Sequence, residues 1–305
     1  MKKADGVFEG GGVKGIALVG ALSVAEQEGY RDWRRVAGTS AGAIVASLLA
    51  AGYSAKELKK IMLELDYIEL LDYTTFLDIL VHPIDVIRGA FWDYGVNRSS
   101  PLRKWLEDKL SAKNVETFAD LKTGSGEDKY RYGLRIIASD ISKRNMIVLP
   151  QEIRKYGRDP DELSLARAVE LSVLFPGFFK PEKVNGSYVI DGGVLSNFPV
   201  WLFDRDEAPE FPTFGFKLLE KEQRITGPIT FLKEIFYTML EGHDNEHQED
   251  SNSVRTIAIP SNGISPLAFN LSDEEKQMLF ESGQAAARKF FRDWDFEEYR
   301  KQFRE

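Results

Sequence analysis

Two glycine-rich turns, each set between an apolar strand and a small-residue helix, constrain this sequence more than any other feature. Residues 4–8 read as a short strand, Gly10-Gly11-Gly12-Val13-Lys14-Gly15 as a turn, and 14–28 as a helix. The unit then repeats, with a strand at 33–37, the turn Gly38-Thr39-Ser40-Ala41-Gly42 and a helix over 41–51. Strand, tight turn and helix repeated at this short spacing predict a mostly parallel sheet covered on both faces. A helix over 54–66 follows, with Ser54 at the N-cap and Glu57 at the capping-box position.

Further strands are predicted at 132–139, 146–149, 188–190, 214–218 and 254–259. Helices are predicted from the Ser99-Ser100-Pro101 start to about residue 110, around 163–171, over 229–240 and from Ser272 onward, and 122–129 reads as a surface loop. The stretch 67–98 breaks the rhythm, crowding Tyr67, Leu70, Leu71, Phe76, Phe91 and Trp92 into an irregular apolar segment. It reads as a cap at the site. No repeat or linker divides the chain, so a single domain over 1–305 is expected.

Composition narrows the chemistry. The 305 residues carry 48 acidic and 40 basic side chains and no long basic run, which argues against nucleic acid as the main partner. Zero cysteines exclude a disulfide framework, thiolate catalysis and every Cys-based metal site. Asp5 interrupts what would have to be the apolar core of a signal peptide. Residues 36–55 carry no charge over a bilayer-spanning length, yet Gly38, Gly42, Gly52 and several hydroxyl residues fit a buried helix entered through a glycine turn. The expectation is a cytoplasmic protein with a surface able to touch membranes.

The first turn matches Gly-x-Gly-x-x-Gly, a weak signal when alone. Its backbone N–H groups, unobstructed by Cβ atoms beside a helix start, suit a phosphate or the oxyanion of acyl transfer. A P-loop would need Ser or Thr after its Lys, and Lys14 is followed by Gly15. The second turn is Gly-x-Ser-x-Gly in the strand-to-helix context of a nucleophile elbow, with an ordinary serine N-cap as the plain alternative. A nucleophilic Ser40 needs a base, and the chain has only His82, His243 and His247. His243 to His247 fits His-x-x-Glu-His, but Gly242 and Asn245 mark a fraying polar stretch, a poor context for zinc. The other base candidate is Asp191, at the end of an apolar strand and followed by Gly192 and Gly193.

Together, the motifs at 10–15, 38–42 and 191–193 resemble the patatin-like phospholipase family in order and spacing. Ser172 through Phe179, Asn197, Pro199 and the Arg255–Pro260 stretch are similar to supporting segments of its bacterial branch. The resemblance implies a three-layer α/β/α fold and hydrolysis of acyl esters in lipids without metal or cofactor. It further implies Ser40 as nucleophile, Asp191 as base, and Gly11, Gly12 and Ala41 as oxyanion donors. Gly10, Lys14, Gly15, Gly38, Gly42, Gly192 and Gly193 support the motifs. Two other readings stay open: a carboxylesterase for smaller esters, and a nucleotide-binding module using the 10–15 loop with Glu28 or Asp32 on a ribose.

Overall fold

The computed structural model describes residues 1–71, 94–124, 130–204, 208–219 and 254–302, together with Glu234 and Thr238. Its first half runs β1 (Lys2–Phe8), α1 (Gly15–Gln27), β2 (Tyr30–Thr39), α2 (Ala41–Ala50) and α3 (Ala55–Glu64). Then come β3 (Gly95–Asn97), α4 (Ser100–Ser111), β4 (Leu134–Asp140), β5 (Asn145–Leu149) and α5 (Leu165–Ser172). The chain continues through β6 (Gly177–Phe179), β7 (Glu182–Val184), β8 (Ser187–Asp191), β9 (Thr213–Leu219), β10 (Thr256–Pro260), α6 (Asp273–Arg292) and α7 (Phe296–Lys301).

The large sheet is ordered β10-β9-β1-β2-β4-β8-β7, with β5 also on β4. Every pairing from β10 to β4 is parallel, while β5, β7 and β8 join antiparallel. The chain moves outward from β1 to β2 and β4 on one side, and β9 and β10 fill the other. The order therefore reverses between β1 and β9, the place where open α/β sheets form a crevice beyond their strand ends. The loop after β1 emerges at that point.

Strand alternation separates two faces. Ala4, Phe8, Val36, Leu134, Ile136, Phe214, Phe216, Ile257 and Ile259 join the large core with α1, α2, α5 and α6. The opposite face presents Val7, Ala37 and Ile137 to a 3-10 turn at Val200–Phe203. Further along that face, Asp5 on β1 forms a buried ion pair with Arg35 on β2. Helix α1 is buried from Gly15 to Leu22, as expected of a helix apolar all round. The charge-free 36–55 stretch becomes the end of β2 plus buried α2, and among the described residues no helix is long and apolar enough to cross a membrane. Helix α3 carries the predicted capping box: Ser54 and Glu57 exchange hydrogen bonds.

One pairing sets the geometry of the site. Strand β5 occupies one edge of β4 from Ile136 to Asp140. Both β2 and β8 must then share the other edge, end to end, with Thr39 beside Ile137 and Asp191 beside Ala138. The turn after β2 and the end of β8 are thereby brought together.

Close backbone approach explains the small residues around that turn. A Cβ at Gly38 would lie 2.3 Å from the Gly42 carbonyl oxygen, and one at Gly42 would lie 2.1 Å from that of Phe8. Neither obstacle is a movable side chain. Gly42→Ala is expected to destabilise the protein by about 1–3 kcal/mol, read as a lower urea midpoint. An unchanged midpoint would mean that the strand and helix are not in this contact.

Candidate active site

Strand β2 passes straight into α2 through Ser40, which is held at φ 51° and ψ −122°. Such a backbone costs a non-glycine residue on the order of 1–3 kcal/mol and persists only where its surroundings over-determine it. Here the Ser40 N–H donates to Ser172 Oγ at 2.9 Å, and the Ser40 carbonyl accepts from the Ala43 N–H at 2.9 Å. Just before it, Thr39 Oγ1 donates to the Ser196 carbonyl at 3.0 Å. The Ser40 side chain caps no helical N–H, so the ordinary N-cap is not realised. Its hydroxyl lies toward the Asp191 carboxyl and favours the ionised form of that group.

Asp191 ends β8 and is 2% exposed. Its N–H donates to the Leu174 carbonyl at 3.0 Å, and its Oδ1 accepts from the Gly193 N–H at 2.8 Å. Gly192 lets the chain turn away, since a Cβ there would lie 2.2 Å from the Ile137 carbonyl oxygen. Burial raises the Asp191 carboxyl to about 7, against the opposing pull of the Gly193 N–H and the Ser40 hydroxyl. A carboxylate so placed is a stronger base than one in water.

The glycine loop is tied down from both sides. Glu9 accepts from the Leu218 N–H on β9, and its own N–H donates to the Phe216 carbonyl at 3.1 Å. Gly10 donates to the Asn197 carbonyl at 3.2 Å, and Asn197 Nδ2 donates back to the Gly10 carbonyl at 3.3 Å. The Lys14 N–H donates to Gly11 and the Gly15 N–H to Gly12, closing a 3-10 turn at Gly12–Lys14 rather than starting the helix at Lys14 as predicted. The Lys14 side chain is fully buried. Among the described residues, no protein acceptor receives the N–H of Gly11, Gly12 or Ala41.

Gly10, Gly11, Gly12, Ser40, Ala41 and Asp191 line one cavity of about 100 Å³. Apart from Asn197 and Tyr67, its other walls are apolar, including Ile44, Leu70, Leu71, Val173, Phe178 and Phe269. Tyr67 and Phe269 line both this cavity and a neighbouring groove of about 890 Å³. The structure therefore brings together the serine, the aspartate and all three proposed N–H donors. Sequence reasoning did not assign Ser172 and Asn197 their roles, although both lie in segments it singled out. Ser172→Ala would leave the Ser40 N–H without its acceptor, a loss of about 1–3 kcal/mol. The expected readout is a lower urea midpoint with reduced turnover, and an unchanged midpoint would show that Ser172 does not hold the turn.

Several expectations fall elsewhere. His82, His243 and His247, residues 72–93 of the apolar 67–98 segment and the predicted helix over 229–240 except the helical Glu234 and Thr238 lie outside the described residues. Of that segment, Tyr67, Leu70 and Leu71 are buried at the cavity, and β3 pairs with β6. The ribose-binding acids of the nucleotide reading are poorly placed. Asp32 sits near the start of β2, opposite Lys3 and beside Arg34, while Glu28 caps the end of α1. Both are at the far end of their element from the glycine loop.

Fold and cavity together define the class: an α/β protein with a serine on a strained strand-to-helix turn, sharing a cavity with a buried carboxylate and a glycine loop. The chain belongs to the patatin-like phospholipase family, whose model matches residues 6–204. The protein YqhO of Bacillus subtilis is 38% identical over 304 residues, covering 96% of this chain and 99% of that one. An intracellular phospholipase A2 of Caenorhabditis elegans is 26% identical over 205 residues, 63% of this chain and 16% of that protein. Among solved structures, VipD from Legionella pneumophila superposes with a TM-score of 0.57 at 19% identity. That match covers 95% of this chain and 66% of VipD, and shows a shared fold.

Proposed function

We propose that this protein is a serine acyl hydrolase of lipid esters, of phospholipase A type, working through Ser40 and Asp191. The observation that carries the reading is Ser40, on a strained turn, lining one cavity with the buried Asp191 and the glycine loop. Family membership and the lipid-directed name of the nematode relative support the substrate class.

In this reading Asp191 accepts the Ser40 proton as Oγ attacks the acyl carbonyl carbon, so deprotonation and attack are concerted. The tetrahedral oxyanion is taken by the N–H groups of Gly11, Gly12 and Ala41, which have no protein acceptor among the described residues. Each such donor is worth about 3–4 kcal/mol in comparable sites. The start of α2 at Ala41 adds its dipole. Protonated Asp191 then returns the proton to the leaving alcohol, and water repeats the sequence on the acyl-serine.

The cavity of about 100 Å³ is smaller than the ~300–1,000 Å³ typical of ligand sites. It suits the ester carbonyl, and a full lipid would extend past Tyr67 and Phe269 into the larger groove. The test is release of fatty acid from phosphatidylcholine and from a short-chain soluble ester by the purified chain, with and without EDTA. Release from both, unchanged by chelation, is expected. Hydrolysis of the short ester alone would favour the carboxylesterase reading. Loss on chelation, restored by zinc, would overturn the metal-free dyad.

A further inference from the structure

The turn between β4 and β5 begins directly after Asp140, at the end of the sheet that carries Ser40. It holds Ile141, Ser142, Lys143 and Arg144, all exposed. The turn is bound to β8: the Ile141 N–H donates to the Tyr188 carbonyl at 3.0 Å, and the Tyr188 N–H donates to Ser142 Oγ at 2.9 Å. The Tyr94 ring meets the Tyr188 ring edge-on at 5.8 Å, and Lys183 Nζ lies 4.6 Å above the same ring. Tyr94, Ile141, Lys183 and the turn thus form one surface around Tyr188.

That surface is unusual in two respects. Tyr94 is 61% and Ile141 47% exposed, both among the exposed large hydrophobic residues of the structure. Its charges are basic in a chain of formal net charge −8. Lys143, Arg144 and Lys183 are exposed, whereas the neighbouring acids are buried under the turn or paired with other groups. Asp140 is fully buried, Glu182 pairs with Arg167 at 3.0 Å, and Glu152 holds Lys155 and the Val148 N–H. Aromatic and aliphatic tips ringed by Lys and Arg suit the headgroup layer of an anionic bilayer.

The surface is also continuous with the site. Tyr94 immediately precedes β3, which pairs with β6, and Phe178 and Phe179 of β6 line the Ser40 cavity. We propose that Tyr94, Ile141, Lys143, Arg144 and Lys183 form a docking surface for membranes containing anionic lipid, bringing the Ser40 cavity to the bilayer. This rests on the lipid hydrolase reading. Because the chain as a whole is acidic, binding through this face would also orient it.

Sedimentation of the full chain with vesicles of phosphatidylcholine, alone or mixed with phosphatidylglycerol, tests the proposal. Binding is expected to the mixed vesicles, to weaken with added salt, and to fall about 100-fold in a Lys143→Glu, Arg144→Glu, Lys183→Glu variant, at roughly 5-fold per basic residue. A Tyr94→Ser, Ile141→Ser variant should lose the salt-resistant part of binding. Both should hydrolyse a short soluble ester at the unaltered rate, with the triple Gln variant replacing the Glu one if circular dichroism shows misfolding. Equal binding by wild type and charge variants, or no wild-type binding, would overturn the docking surface. Absent ester hydrolysis in wild type would instead overturn the hydrolase reading, and the two failures are read in separate assays.

Discussion

Ser40→Ala is expected to lower ester turnover by at least about 10⁴-fold, the scale seen when the nucleophile of a serine enzyme is removed. The fold should survive. Ala carries the same backbone strain at φ 51° as Ser, and the main-chain bonds from position 40 to Ser172 and Ala43 do not depend on the hydroxyl. The urea midpoint should therefore stay close to that of wild type while activity disappears. Substantial turnover in a folded Ser40→Ala protein would remove the covalent mechanism.

Asp191→Asn is expected to cost at least 100-fold in turnover, on the order of a general-base contribution. It keeps the shape and the acceptor for the Gly193 N–H but removes the basicity. In wild type the active form is the carboxylate, so kcat/KM should rise with pH through a midpoint near 7, where burial has placed this group. Stability runs the other way. The ordinary value of 3.8 applies to the unfolded chain and about 7 to the folded one. Between those limits the unfolded chain has released the proton while the folded one retains it, so stability falls as pH rises through that window. The full difference is up to roughly 4 kcal/mol at about 1.4 kcal/mol per pH unit. Asp191→Asn should escape that loss and unfold at higher urea than wild type at pH 8, with the gap closing toward pH 4. An Asn variant whose stability tracks that of wild type from pH 4 to 8, or one with near-normal turnover, would show that the base lies elsewhere.

Much of this site was legible because its residues must be small or charged where a sequence pattern can reveal them. Gly38 and Gly42 flank Ser40 because backbone lies within reach of any Cβ there, and such a constraint leaves a motif. Asp191 stood out as a carboxylate closing an apolar strand. The helix start at Ser54 was equally plain, since a capping box is a local device. Long-range pairing was not legible. Nothing in the sequence says that β2 and β8 share one edge of β4, although that register places Asp191 beside the turn. The three-residue ribbons β3, β6 and β7 are too short to carry a periodic pattern. Strand β2 begins at Tyr30, before the predicted 33–37, because charged Arg31, Asp32 and Arg34 hide its exposed first half. Ser172 and Asn197 act through backbone contacts from distant segments, which residue type alone does not announce.

The central claim is that Ser40 is a nucleophile activated by Asp191, and labelling with a fluorophosphonate tests it most directly. Peptide mass spectrometry of the treated protein should place a single phosphonyl adduct on the peptide containing Ser40. The adduct should be absent from Ser40→Ala and form at least 100-fold more slowly in Asp191→Asn. An adduct on a different serine, or an unlabelled wild type that still hydrolyses esters, would contradict it.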